Sequence, residues 1–380
     1  MNYSIKKVLT RIRRIIQNPK DCKLLIAPKR ISPDGILIVI HESQELGASL
    51  LALHTAEEMI RQGKNVYIVS RQFGKLNTEY QKIAPMQIAL SKSKYQRICR
   101  MLYKNGYNKA LMVTASTGDL VKTTKECGFE VVSMIHELGQ VIEMLHLEKA
   151  TNEMLACSDK VLFSTSIAKK QILELCDFQD SEKIVIRPQG IYYKKPSEKI
   201  ILEQKEKLLS SYPMLDGKKI IVGIGNTSER KGFDIFLQTA KLLPQYEFVW
   251  AGKKENYYDS VTEKIGLPDN FVYFGSMNTK QLSGVYSIAD VYLMCSRFDT
   301  LPSTIFESLI FSTPVIGSIK SGGIVDAIDD KNGYLTEEAE CTQFAEAIEI
   351  VLHKEFKIAE LGNSFEDYVR YVIALYGGIK

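Results

Sequence analysis

Two series of short, unbroken apolar runs set the limits on what this chain can fold into. The first begins at "ILIVI" (36–40). It continues through "NVYIVS" (65–70), "KALMVTA" (109–115), "EVVSMIH" (130–136), "KVLFST" (160–165) and "KIVIRP" (183–188). Runs this rich in β-branched residues, without polar alternation, suit strands covered on both faces of a sheet. Between them lie segments with helical spacing. Over 48–62, Leu50, Leu53, Ala56, Met59 and Ile60 share one face, and Gly63 ends the helix. Strands that alternate with helices build right-handed crossovers and therefore a parallel sheet. The alternation stops over 189–217. It restarts with "KKIIVGIG" (218–225), "YEFVWAG" (246–252), "NFVYFG" (270–275), "DVYLMCS" (290–296) and "TPVIGS" (313–318). At 380 residues the chain exceeds what one core usually holds. The expected organisation is an α/β domain over 1–190, a linker over 191–217, a second α/β domain over 218–360 and a terminal segment, 361–380, with a last helix near 365–375. Both domains are expected to be doubly wound parallel sheets of Rossmann type, whose ligands bind beyond the carboxyl ends of the strands.

Composition narrows the class. Apolar residues make up 45% and charged residues 25%, values of a globular protein, and a net charge of +4 calls for no nucleic acid. The seven cysteines are odd in number and form no Cys-x-x-Cys pair, which predicts reduced core thiols in a cytoplasmic protein and no metal site. No apolar run reaches the roughly 18 residues of a membrane span, and the basic N-terminus lacks the continuous apolar core of a signal peptide. That N-terminus, "IKKVLTRIRRII", sets Ile5, Val8, Leu9, Ile12, Ile15 and Ile16 at helical spacing among Lys6, Lys7, Arg11, Arg13 and Arg14. Such a helix either packs on the protein's own first domain or lies peripherally on an anionic membrane face.

Four loops follow strands and carry candidate chemistry. After "ILIVI", Gly47 opens a helix; it either makes a turn or lets a phosphate approach the helix amides. After "EVVSMIH", His136 stands at a strand end, either satisfied by backbone or free to bond a substrate hydroxyl or phosphate. After "KKIIVGIG", Arg230 and Lys231 precede Gly232 at a helix start, where cations oppose the dipole unless an anion is bound. An Arg fork and a Lys point charge suit a diphosphate. The fourth loop begins the stretch "SRFDTLPSTIFESLIFSTPVIGSIKSGG" (296–323). There Asp299 and Glu307 lie eight positions apart across Pro302. Thr304 and Glu307 fit a Thr-x-x-Glu capping box. The functional alternative has Asp299 bind sugar hydroxyls and Glu307 accept from ribose hydroxyls, with the amides around Ser303 and Thr304 turned to a diphosphate.

This stretch resembles the Glu-x7-Glu motif of retaining GT-B glycosyltransferases of the family 4 type. Asp299 stands in the place of the first acid, as in the "D-x-L-P-x-T-I-x-E" form, and Glu307 in that of the second. "SERKGFD" resembles the family's Lys-Gly stretch, with Lys231 at the diphosphate-binding cation. "LGASL" matches the N-terminal glycine loop, His136 a cleft histidine, and "NFVYFGSM" the segment whose backbone around Gly275 and Ser276 contacts the base. Two positions depart: Asn226 replaces an Arg, and Ser312 replaces the Gly before "TPV".

The resemblance implies a GT-B fold. Its N-terminal domain would take the acceptor and its C-terminal domain the nucleotide-sugar donor, the two facing a cleft, and the last helix would cross back to the first domain. It also implies a retaining, metal-free transfer from a nucleotide diphosphate-sugar to a glycan hydroxyl, the acceptor being lipid-linked or a cell-surface polysaccharide. Asp299, His136 and Lys231 would serve the chemistry, and Gly47, Arg230, Lys231, Gly275, Ser276, Ser303, Thr304 and Glu307 would hold the donor. The departures leave open an inactive GT-B subunit that stabilises a partner transferase. An epimerase acting on the nucleotide sugar itself is a further alternative.

Overall fold

Residues 33–356, 358 and 364–377 are described by a computed structural model, and their strands form two parallel sheets. The basic stretch 1–19 and Cys22 lie outside the described residues. The chain divides into two compact units, one of residues 1–192 with 365–380 and one of residues 193–364.

In the first unit the strands are β1 (Gly35–Ile40), β2 (Val66–Ser70), β3 (Met86–Ile88), β4 (Tyr107–Val113), β5 (Glu130–Ile135), β6 (Lys160–Phe163) and β7 (Ile184–Ile186). They run parallel in the order β3-β2-β1-β4-β5-β6-β7. Every residue of β1 and β2 is buried, as expected of strands with helices on both faces. The helix Gly47–Arg61 buries Leu51, Leu53, Ala56 and Met59 against them.

The final helix, Phe365–Ala374, belongs to this unit although the whole second unit precedes it in sequence. Its Phe365, Tyr368, Val369 and Val372, with Leu375 and Tyr376 after it, are buried in the same core as β1, β2 and the helix Gly47–Arg61. The first segment of the unit ends at Tyr192, whose ring stacks on His54 at 4.8 Å and meets Phe365 edge-on at 5.6 Å.

The second unit holds β8 (Ile220–Ile224), β9 (Glu247–Ala251), β10 (Phe271–Gly275), β11 (Val291–Leu293), β12 (Val315–Ser318) and β13 (Gly333–Thr336), in the order β10-β9-β8-β11-β12-β13. The segment expected as a linker is part of this body. The helix Glu198–Ser211 packs on the helix Thr279–Ile288, and Leu208 and Leu215 are buried in the core. It reads as a linker because only Leu208 of that helix is buried, so its sequence is mostly solvated. The edge strands β3 and β13 go unseen in the sequence for a related reason. They have three and four residues, and β13 is half solvated, so neither forms an apolar run.

In each sheet the direction of winding reverses once, between β1 and β4 and between β8 and β11. The loops leaving those strands diverge and open a crevice at the carboxyl edge.

The sole tryptophan, Trp250, lies buried in β9 and so reports on the second unit alone. We expect Leu375→Ala, at a 1%-exposed site, to remove about 2–5 kcal/mol from the first unit. Far-UV circular dichroism should then show an early transition while the Trp250 fluorescence transition stays where it was. A fluorescence midpoint that falls with the dichroism would contradict separate cores.

Candidate functional site

The second unit gathers its charged candidates at the β8/β11 edge. The loop after β8 is pressed into place by close backbone packing. Gly232 has φ +68, and a Cβ there would come 2.0 Å from the Cys295 carbonyl oxygen at the end of β11. Gly252 has φ +152, and its Cβ would meet the Gly225 oxygen at 1.9 Å. That oxygen also accepts a 2.8 Å bond from Trp250 Nε1. Neither glycine can take a side chain without moving the loop. The Lys231 stem lies along Gly225.

From there Lys231 Nζ donates to Asp299 Oδ2 at 2.5 Å, and Arg230 Nη1 donates to the same oxygen at 2.9 Å. The Asp299 loop is anchored by backbone: its amide donates to the Ser321 oxygen at 2.7 Å, and its own oxygen accepts from the Gly323 amide at 3.1 Å. The glycine pair after β12, Gly322 and Gly323, forms this anchor. Gly322, at φ +105, turns the chain back to pair with Asp299. Burial pushes the Asp299 carboxyl up, but the charges of Lys231 and Arg230 and their hydrogen bonds outweigh it, and the group stays ionised below its ordinary range. The cluster thus carries two cations against one anion.

The helix Ser303–Ile310 starts behind Pro302, and no side chain caps it. Thr304 is within its first turn, so the capping box does not form; its hydroxyl meets Tyr292 Oη at 2.7 Å instead. The amides of Ser303 and Thr304 have no acceptor among the described residues, which leaves them for a ligand at the positive end of the helix. Glu307 is 8% exposed. Its Oε1 accepts from the Ser303 hydroxyl at 2.8 Å and its Oε2 from Tyr286 Oη at 2.8 Å. Burial raises its proton affinity and those two bonds lower it, with a net upward shift. Each oxygen keeps a lone pair for a further donor. Gly275, at φ +75, and the exposed Ser276 end β10, two strands away from β8.

The two departures have local explanations. Asn226 Nδ2 donates to Glu255 Oε1 at 2.8 Å, within the loop after β8. Ser312 has φ +59, the left-handed region, so the backbone keeps the shape that a glycine there would favour.

Gly47 and His136 belong to the first unit and are described there by themselves. Gly47 opens its helix, and a Cβ on it would meet nothing within 4 Å, so packing does not require the glycine. His136 follows β5, and its Nε2 is buried without a hydrogen-bond partner. Burial lowers its pKa to about 4, so the ring is neutral at pH 7. Beside it, Glu137 Oε2 accepts from the His136 and Ala115 amides at 3.0 and 3.2 Å. Thr114 after β4 and Ser164 after β6 likewise have buried hydroxyls without partners, and Thr114 sits at φ +71. Three unsatisfied polar atoms thus stand at three neighbouring strand ends, where a buried polar group without a partner is costly.

Sequence reasoning missed Tyr286, which orients Glu307, because a tyrosine in "GVYSIAD" reads as core. It also missed Arg297 and Asp234, whose side chains meet at 2.7 and 2.8 Å across 63 residues of sequence.

Residues 204–370 match the family model "Glycosyl transferases group 1". Over 161 residues the chain is 26% identical to alpha-galactosylglucosyldiacylglycerol synthase of Streptococcus pneumoniae, covering 41% of this chain and 40% of that protein. Over 102 residues it is 28% identical to the processive diacylglycerol alpha-glucosyltransferase of Acholeplasma laidlawii, covering 26% of this chain and 31% of that protein. The chain thus spans less than half the length of these curated relatives. Among solved structures, Anabaena HepE in complex with UDP superposes with a TM-score of 0.72 at 15% identity, over 90% of this chain and 94% of that one. The fold is GT-B, built of two Rossmann-like α/β units.

His136 makes the first unit sensitive to acid. Its folded pKa, about 4, lies below the ordinary 6.5, so between these values the unfolded chain binds more protons. Stability is therefore lost as pH falls from about 6.5 to 4. Glu137, shifted upward by burial, acts in the opposite sense, losing stability as pH rises above 4.5. His136→Gln should flatten the fall between pH 6.5 and 4.5 in thermal melts followed by circular dichroism. Parallel curves for the two proteins would show that His136 titrates normally.

Proposed function

We propose, from a chain that carries a glycosyltransferase group 1 domain, that it moves a sugar from a nucleotide diphosphate-sugar to a hydroxyl of a glycan acceptor, with retention at the anomeric carbon. The observation that carries this is the convergence of Arg230 and Lys231 on Asp299 at the β8/β11 edge. Two cations and the open amides of Ser303 and Thr304 suit a diphosphate, Asp299 suits sugar hydroxyls, and Glu307, oriented by Ser303 and Tyr286, suits a ribose diol. Gly275 and Ser276, at the end of β10, offer backbone to a base. The UDP bound to HepE makes UDP-sugars the first donors to try.

Lys231 and Asp299 hold each other. Donor phosphate would take over the lysine and release the carboxylate toward the sugar. As the C1–O bond to the diphosphate breaks, Lys231, Arg230 and the helix amides would receive the developing charge, without need of a metal. The new C1–O bond would form on the same face, and the acceptor's proton would pass to the departing phosphate oxygen. In the first unit, neutral His136, with a free ring nitrogen, and Gly47 would offer polar groups to a ligand of that unit's own strand edge. The names of two relatives concern diacylglycerol, which favours a lipid-borne acceptor. The basic stretch 1–19 would then hold the protein at an anionic membrane face. No helix among the described residues is long and apolar enough to span a bilayer.

The test is a donor panel of UDP-, GDP- and dTDP-sugars read by thermal shift and by transfer, with the anomer of the product assigned by NMR. Binding without turnover would support the inactive-subunit alternative, and an inverted product would end the retaining reading. Lys231→Ala should raise donor KM and lower kcat by about 100-fold or more. Glu307→Ala should weaken nucleotide binding, read well below the melting temperature, and should also cost about 1–3 kcal/mol of stability because the buried Tyr286 hydroxyl loses its acceptor. Activity should survive EDTA; loss that Mg²⁺ or Mn²⁺ restores would refute the metal-free route.

A further inference from the structure

The two cations sit on a loop that the Arg230 side chain does little to fix. Arg230 is 43% exposed, and its contacts are to Asp299 and the Phe298 oxygen, groups that a donor would displace or share. What holds the loop from behind is Arg297. Its backbone amide donates to the Arg230 oxygen at 2.9 Å, and its Nη1 donates to the Glu229 oxygen at 2.6 Å. Both bonds fasten backbone directly before Lys231. The guanidinium is itself held by a two-pronged pair with Asp234, Nη1 to Oδ1 at 2.8 Å and Nη2 to Oδ2 at 2.7 Å. Asp234 lies in the first turn of the helix Phe233–Leu242 that the loop leads into, and Tyr257 also reaches it. The Asp234 side chain is 13% exposed. Asp299 takes its two ion pairs from Arg230 and Lys231 and not from Arg297.

We propose that Arg297, fixed by Asp234, is a positioning residue that sets the spacing of Arg230 and Lys231 to fit a diphosphate. The inference rests on the donor-site reading above. The geometry demands arginine. One planar fork spans an acidic side chain and a backbone oxygen together, whereas a lysine offers a point charge that cannot hold both directions at once. Loss of the fork leaves the cations present but unregistered, and a displacement of about 1 Å in such a group can cost on the order of 100-fold in rate.

Arg297→Lys, Asp234→Asn and the double variant test this with the full chain. Binding of inorganic pyrophosphate, and of UDP, GDP and dTDP with their nucleosides, is measured by titration calorimetry. Donor kcat and KM are measured with the sugar nucleotide selected by the panel. The expected result is a loss of about 10-fold or more in pyrophosphate and nucleotide affinity with nucleoside binding unchanged. kcat/KM should fall about 10- to 100-fold, mostly through KM. The double variant should be no worse than the weaker single one, since both remove one device. If Arg297→Lys lowers the melting temperature but leaves pyrophosphate affinity and KM as they were, the pair is structural and the inference is overturned. If both singles bind pyrophosphate normally and their effects on kcat add, it is likewise overturned. If the unsubstituted protein binds neither pyrophosphate nor any nucleotide of the panel, the donor-site reading fails, and the inference with it.

Discussion

Parallel pairing governs everything else in this molecule. Neighbouring parallel strands cannot be joined by a tight turn, so each connection must travel back over a face of the sheet, and here helices make that return. Because every strand then points the same way, all the strand-leaving loops collect at one edge. The winding begins in the middle of each sheet, at β1 and β8, goes outward to one side, and returns to start again at β4 and β11. Two consecutive loops at that point turn away from each other. The ends of β8 and β11 are thereby left uncovered, and the residues with the least hydrophobic reason to be there, Arg230, Lys231 and Asp299, occupy the space.

Three charges in a partly enclosed crevice would be costly if any one stood alone. Removing a carboxylate from water costs several kcal/mol after relaxation. The Asp299 carboxylate offsets this through two cations, while two backbone bonds at its own peptide unit fix where it sits. The same arrangement leaves one positive charge uncompensated, which is a reason for an anion to enter. Glu307 is treated differently. It is held by hydroxyl groups, not cations, so burial wins and its affinity for a proton rises. One helix and its preceding loop therefore present two carboxyl groups of opposite electrostatic character, one tied to positive charge and one poised among neutral donors.

The strand pattern was legible wherever a run was long and buried on both faces: β1, β2, β8 and β9 lie within the apolar runs that announce them. β3 and β13 were not, because short edge strands have too few covered residues to leave a pattern. The charged site was legible through local contradictions, such as cations where a helix dipole disfavours them. The capping box at Thr304 and Glu307 failed because helix start and carboxylate partner are tertiary matters. Pro302 fixes the first, and Tyr286, on another helix, decides the second. The clamp of Arg297 and Asp234 joins positions 63 residues apart, and no local rule relates them.

The placement of the helix Phe365–Ala374 has a consequence for how the protein comes into being. Between Tyr192 and Phe365, the two ends of the interruption in the first unit, 172 residues must be made. At translation speeds of about 5–20 residues per second, that gap lasts roughly 10–30 s. Throughout it, the faces of β1, β2 and the helix Gly47–Arg61 that Tyr368, Val369 and Val372 will cover remain without their partner. The second unit, encoded as one uninterrupted segment, has all the buried residues of its own core as soon as its helix Cys341–Leu352 is made. The half of the molecule that is made first is the half that must wait, which is when a chaperone that shields apolar surface would matter most.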